Sequence, residues 1–106
     1  MATYINKEIA GFAQTLIIDI AETMQGLCLW AEIKGGNLNE DSTSYEEITV
    51  SDLEAGITKT ITLRDIELAT NKLTLREIKS LRAGDFDWMM ADKVLQIAFH
   101  NKVIYG

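Results

Sequence analysis

The sequence is short of several things at once, and each shortage excludes something. There is no proline in its 106 residues, so no proline-rich linker or proline-kinked helix is present. There is one cysteine, which rules out a disulfide within the chain, and one histidine, which with that cysteine cannot make a tetrahedral zinc site. No apolar run approaches the ~18–20 residues of a membrane helix, and MATYINKEIAG lacks the basic start and pure apolar stretch of a secretory leader. A cytoplasmic protein without membrane contact is the resulting expectation. Between residues 35 and 58 there is no lysine or arginine at all. What remains is 47% hydrophobic and 25% charged residues, the mix of an ordinary globule, and the length suits one domain able to bury a core without a metal or staple.

The missing bases define the charge pattern. Residues 35–58 carry Glu40, Asp41, Glu46, Glu47, Asp52 and Glu54, whereas acids and bases balance over the rest of the chain. The whole net charge of −6 therefore sits in 24 residues. An opposite bias follows: Lys72, Arg76, Lys79 and Arg82 stand at spacings of 4, 3 and 3 with Glu77 as the single acid among them, one stripe if the segment is helical. Charge blocks of this kind steer encounters more than they set a fold.

Hydrophobic periodicity organises the rest. Ile5, Ile9, Phe12, Leu16 and Ile20 predict a helix over 5–24, widened by Ala13, Ile17 and Met24, capped by Asn6 or Thr3 and stopped by Gly26. Alternation predicts strands at 27–33 and 45–50, with Lys34-Gly35-Gly36-Asn37 breaking the first and a polar loop over 35–44 joining them as a hairpin. Ser51-Asp52-Leu53-Glu54 fits a capping box and predicts a helix over 52–60, although the β-branched run from Ile57 equally suits a strand. Residues 62–70 fit either a strand or a short helix. Thr74-Leu75-Arg76-Glu77 predicts a helix to Ala83, halted by Gly84. Asp85 or Asp87 caps a last helix to His100, with Trp88, Ala91, Val94 or Leu95, Ala98 and Phe99 inward, and 103–105 predicts a closing strand. The sum is a single α+β domain, residues 1–106: a small, mostly antiparallel sheet packed against helices, the long amphipathic ones at either end.

No arrangement of residues announces catalysis. Cys28 lies in the apolar run LCLW, where a thiol packs as a small hydrophobe, and nothing in the sequence brings His100 to it. His100 ends a predicted helix, where an imidazolium favours the dipole. Asn37-Leu38-Asn39-Glu40-Asp41 lacks the glycine and final glutamate of a calcium loop, and Gly35-Gly36 lacks the context of a phosphate loop. No enzyme, metal or cofactor is therefore expected. A net negative charge disfavours direct nucleic-acid binding.

The tail, with Ala91-Asp92, Val94-Leu95-Gln96-Ile97-Ala98-Phe99 and Lys102-Val103-Ile104-Tyr105-Gly106, resembles small uncharacterised proteins of prophages and mobile elements. His100 stands where those often have glycine. The resemblance implies a phage or mobile-element origin and carries no function; small acidic proteins of that origin often antagonise host defence, as anti-CRISPR or anti-restriction proteins do. The expected function is a non-enzymatic inhibitor whose Glu40, Asp41, Glu46, Glu47, Asp52 and Glu54 form one acidic surface for a basic, nucleic-acid-handling host protein. Trp30 and Tyr45 are aromatic anchors if exposed, with core packing favoured for Trp30. The alternative is a homo-oligomer pairing that acidic stretch with the stripe of Lys72, Arg76, Lys79 and Arg82.

Overall fold

A computed structural model describes residues 6–24, 28, 30–38 and 45–105. Within them the chain runs α1 (Lys7–Glu22), β1 (Ala31–Leu38), β2 (Tyr45–Asp52), β3 (Ile57–Thr62), α2 (Leu63–Thr70), α3 (Leu75–Arg82) and α4 (Trp88–His100). This is the α+β class: a three-stranded antiparallel sheet, order β1-β2-β3, with helices against one face. The pleat explains the sidedness. Ala31 and Ile33 of β1, Ile48 and Val50 of β2 and Ile61 of β3 are buried, while the alternate row on the far face, Glu32, Lys34, Thr49, Ser51, Thr58 and Thr60, stays partly or fully exposed.

α1 starts where Asn6 accepts a hydrogen bond from the Ile9 N–H at 2.8 Å. Its face of Ile9, Ala13, Leu16, Ile17, Ile20 and Ala21 is buried, as the 3–4 spacing predicts. Ile5, Thr3 and Gly26 lie outside the described residues. The core of Leu16, Ile17, Ile20, Ile48, Ile66, Leu81, Val94 and Leu95 is closed to solvent and continuous across helices and sheet.

Four expectations are corrected. First, β1 is displaced toward the C-terminus: it starts at Ala31 and runs through Lys34-Gly35-Gly36-Asn37 instead of stopping there. The register shifts between Lys34 and Asn37, and a Cβ on Gly36 would overlap the Glu47 carbonyl oxygen; glycine here lets a bulged strand stay close to its neighbour. Second, no helix spans 52–60. Asp52 pairs with Ile57 across a hairpin whose turn has Gly56 at φ +69°. The carboxylate of Asp52, not the Ser51 hydroxyl, takes the free N–H groups, those of Glu54 (2.8 Å) and Ala55 (2.9 Å), and the β-branched run goes into β3. Third, Trp88 is 67% exposed, whereas Gln96 and Ile97 join Ala91, Val94, Leu95 and Phe99 on the buried face of α4. Fourth, residues 103–105 form no strand but an irregular strap.

The ambiguous stretch 62–70 is helical because Thr62 and Asp65 cap each other: the Thr62 hydroxyl accepts from the Asp65 N–H, and the Asp65 carboxylate from the Thr62 N–H. Thr74 and Glu77 do the same for α3. Asp87 caps α4, and Asn101 closes it in the left-handed conformation that asparagine tolerates. Among the described residues, no helix is long and apolar enough to cross a membrane.

Candidate functional site

The six acids do not form one surface among the described residues. Glu46 is exposed on β2, and Glu47 is partly buried with its carboxylate accepting from Asn37 Nδ2 at 2.7 Å. Asp52 is 1% exposed and withdrawn into the fold, so it is no part of an outer acidic face. About 20 Å of strand separates it from Glu46, at ~3.3 Å per residue. Glu54 is exposed in the turn beyond Asp52, at the opposite end of β2 from Glu46. Glu40 and Asp41 lie outside the described residues.

The basic stripe is also broken. Lys72 precedes α3 and donates to Asn101 Oδ1 at 3.2 Å. Arg76 and Lys79 are exposed on α3. Arg82 makes a forked pair with Glu8, both bonds 2.8 Å, and this guanidinium holds the Glu8 carboxyl below its usual range. Glu77 turns to Lys93 at 2.6 Å.

The structure instead builds a polar site around Asp52. One carboxylate oxygen accepts from Glu54 N, Ala55 N and Tyr105 Oη at 2.8, 2.9 and 2.9 Å. The other contacts His100 Nε2 at 2.8 Å and Tyr105 Oη at 2.7 Å. Burial pushes the Asp52 carboxyl up, but the donated bonds from Ala55, Tyr105, Glu54 and His100 outweigh it and hold it below the ordinary carboxylate range. It is therefore ionised at neutral pH, and Nε2 of His100 is the ring nitrogen that carries a hydrogen toward it. Hydrogen bonding to Asp52, with burial, pushes the Tyr105 phenol up to about 12.

Four residues later than Asp92 on α4, Gln96 is 1% exposed and fully bonded. Its Oε1 accepts from Ile104 N and Tyr105 N, both at 2.9 Å; its Nε2 donates to Asp92 Oδ2 at 2.9 Å and Tyr105 O at 3.2 Å. The amide orientation follows, since the reverse would face an NH₂ toward two N–H donors. The other oxygen of Asp92 accepts from Trp30 Nε1 at 2.6 Å and lies 4.0 Å from Cys28 Sγ. Trp30 is core, 5% exposed, stacked on Tyr105 at 5.2 Å and edge-on to Phe99 at 5.8 Å. Lys59, pointing inward from the edge strand β3, donates to the Phe99 carbonyl at 2.8 Å and sits 4.7 Å over its ring.

The Asp52–His100 pair has the geometry of an oriented base, but its surroundings are structural. The thiol of Cys28 neighbours Asp92, and burial pushes its pKa up, away from a reactive thiolate. Hollows of about 430 Å³ at the α3–α4 turn, lined by Ser80, Phe86, Asp87 and Met90, and about 230 Å³ between α2 and α4 lie elsewhere. Among the described residues no three of His, Cys, Asp and Glu gather as a metal site. Sequence reasoning missed Asp92 as the partner of Trp30, His100 and Tyr105 as partners of Asp52, and Gln96 as the partner of Asp92 and of residues 104–105. The available signal was a glutamine inside the apolar run VLQIAF, which demands a buried partner. Comparison with known proteins finds no matching family model, curated protein or solved structure.

Proposed function

We propose that this chain is a non-enzymatic interaction protein that engages a basic partner through the β1–β2 end of its sheet. The observation that carries the reading is the hairpin register. Leu38 pairs with Tyr45, so exposed Glu46 and its neighbour Glu47 stand at the end of the hairpin where the sequence inserts Glu40 and Asp41. No base occurs in the sequence between residues 35 and 58. The acidic site narrows to Glu40, Asp41, Glu46 and Glu47; Asp52 is spent inside the fold, and Glu54 belongs to the far turn.

Glu46 and Glu47 leave β2 on opposite faces of the pleat, so they concentrate negative charge around the end of the hairpin, complementary to a basic groove built for phosphates. A nucleic-acid-handling protein is therefore the partner class that fits. The tail's resemblance to prophage proteins makes a host defence protein, the target of anti-CRISPR and anti-restriction proteins, the first to test. Pairing of copies through the 72–82 stripe is less supported, because Arg82 is engaged by Glu8 and Lys72 lies outside α3.

The test is retention from bacterial lysate at two salt concentrations, followed by nucleic-acid binding assays on the purified captured protein. A basic nucleic-acid-binding protein held by wild type and by Glu54→Gln, released by high salt, and inhibited by the chain is the expected result. Its loss with Glu40→Gln, Asp41→Asn, Glu46→Gln and Glu47→Gln combined completes the expectation. Equal retention by that fourfold variant refutes the site.

A further inference from the structure

The strap of residues 102–105 is bound to the body of the protein in the manner of a ligand. Val103 and Ile104 are 48% and 44% exposed, and the segment has no strand partner among the described residues. Its attachments come from its backbone and one side chain: two successive N–H groups and the Tyr105 carbonyl on Gln96, the tyrosine ring on Trp30, and the hydroxyl on Asp52.

The receiving groups are oriented by partners other than the strap. Asp92 accepts from both Gln96 Nε2 and Trp30 Nε1 and so fixes the amide and the indole. Glu54 N, Ala55 N and His100 fix the Asp52 carboxylate. A side-chain amide whose oxygen takes two adjacent N–H groups and whose NH₂ donates to the next carbonyl reads a locally turned backbone, whatever its side chains, since successive N–H groups of an extended chain point to opposite sides. A buried carboxylate behind an aromatic wall reads a phenol. Preorganised donors and acceptors of this kind define a binding site.

We propose that the slot formed by Trp30, Asp52, Gln96 and His100 is a recognition site for a short, locally turned peptide bearing tyrosine, occupied in the resting protein by its own residues 104–105. Asn101, in the left-handed conformation at the end of α4, and exposed Lys102 form the hinge on which the strap leaves. A peptide presenting two backbone N–H groups and a tyrosine takes its place, and the strap acts as a competitor held at high effective concentration. This site is separate from the acidic end of the sheet and does not rest on the function proposed there.

The experiment uses the whole chain, ¹⁵N-labelled, with Tyr105→Ala to weaken the strap. The probe is a synthetic peptide of residues 102–106. Titration is expected to move the Trp30 indole N–H and the Gln96 side-chain amide signals saturably. Wild type is expected to bind the peptide at least ~10-fold more weakly, since its own strap competes. A peptide with phenylalanine in place of tyrosine is expected to lose ~10-fold, the value of a hydrogen bond to a charged group. In wild type, the amides of Ile104 and Tyr105 are expected to exchange with solvent at least ~100-fold faster than that of Val94, through opening of the strap alone. Absence of saturable shifts, equal binding by wild type, an unfolded Tyr105→Ala chain, or exchange of the strap amides only with the core would each overturn the proposal.

Discussion

Replacing Asp52 by asparagine tests the centre of the structure. The change keeps shape and removes charge. In the native protein the carboxylate takes hydrogen bonds from four donors: Glu54 N, Ala55 N, Tyr105 Oη and His100 Nε2. An asparagine oxygen can retain the two turn N–H groups. Its NH₂ then faces the hydroxyl and the imidazole, which must turn from donors into acceptors. Each bond falls from the charge-assisted class, about 1.5–3 kcal/mol, toward the neutral class, about 0.5–1.5 kcal/mol. Four such downgrades, about 1–1.5 kcal/mol each, amount to about 4–6 kcal/mol. Urea unfolding at pH 7 measures it, and a loss under about 0.5 kcal/mol, the range of an ordinary surface substitution, refutes the reading. The pH dependence supplies a second check. The carboxyl is held lower in the native state than its ordinary 3.8, so the native state binds this proton less readily than the unfolded chain. The stabilisation is therefore present above pH 3.8 and is lost as pH falls through the lower native value. Asparagine abolishes that part of the acid limb. The variant is also expected to bring the Tyr105 phenol, native value about 12, down toward its ordinary 10 in an ultraviolet titration.

Gly36→Ala is expected to destabilise the hairpin by about 2 kcal/mol or more, because the new methyl meets the Glu47 backbone rather than a side chain that can turn away; retained Ile33–Val50 cross-strand contacts with lost Asn37–Glu47 contacts in an NMR spectrum is the expected pattern. Cys28, its thiol pushed up by burial, is expected to alkylate with iodoacetamide more slowly than an unfolded-chain thiol at pH 8, the gap narrowing as pH rises and thiolate forms; equal rates would place the thiol in solvent.

Elements whose signal is local were legible in the sequence. The apolar repeat of α1, the Thr74–Glu77 box of α3 and the Asp87 cap of α4 each depend on residues within one or two turns, and each is present. Asp52 shows why the functional reading was harder. In sequence it is one acid among six in a stretch without bases, and it stands inside an apparent capping box. Whether it meets water or His100 depends on a helix terminus 48 residues later. The Ser51–Glu54 pattern failed for the related reason that a capping box and a hairpin turn use the same short polar residues; the β-branched run after Gly56 decided between them through pairing with β2.

Composition and periodicity alone thus determined an α+β globule with an acidic middle, the presence of three helices and the strand character around Ile33 and Ile48, because those properties arise from near neighbours along the chain. Only the tertiary structure decided which carboxylates face outward, that Gln96 and Asp52 grip the strap, and that Arg82 is held by Glu8. Each of these couples side chains separated by many residues, so its energy exists only after the core has brought distant segments within a few ångströms.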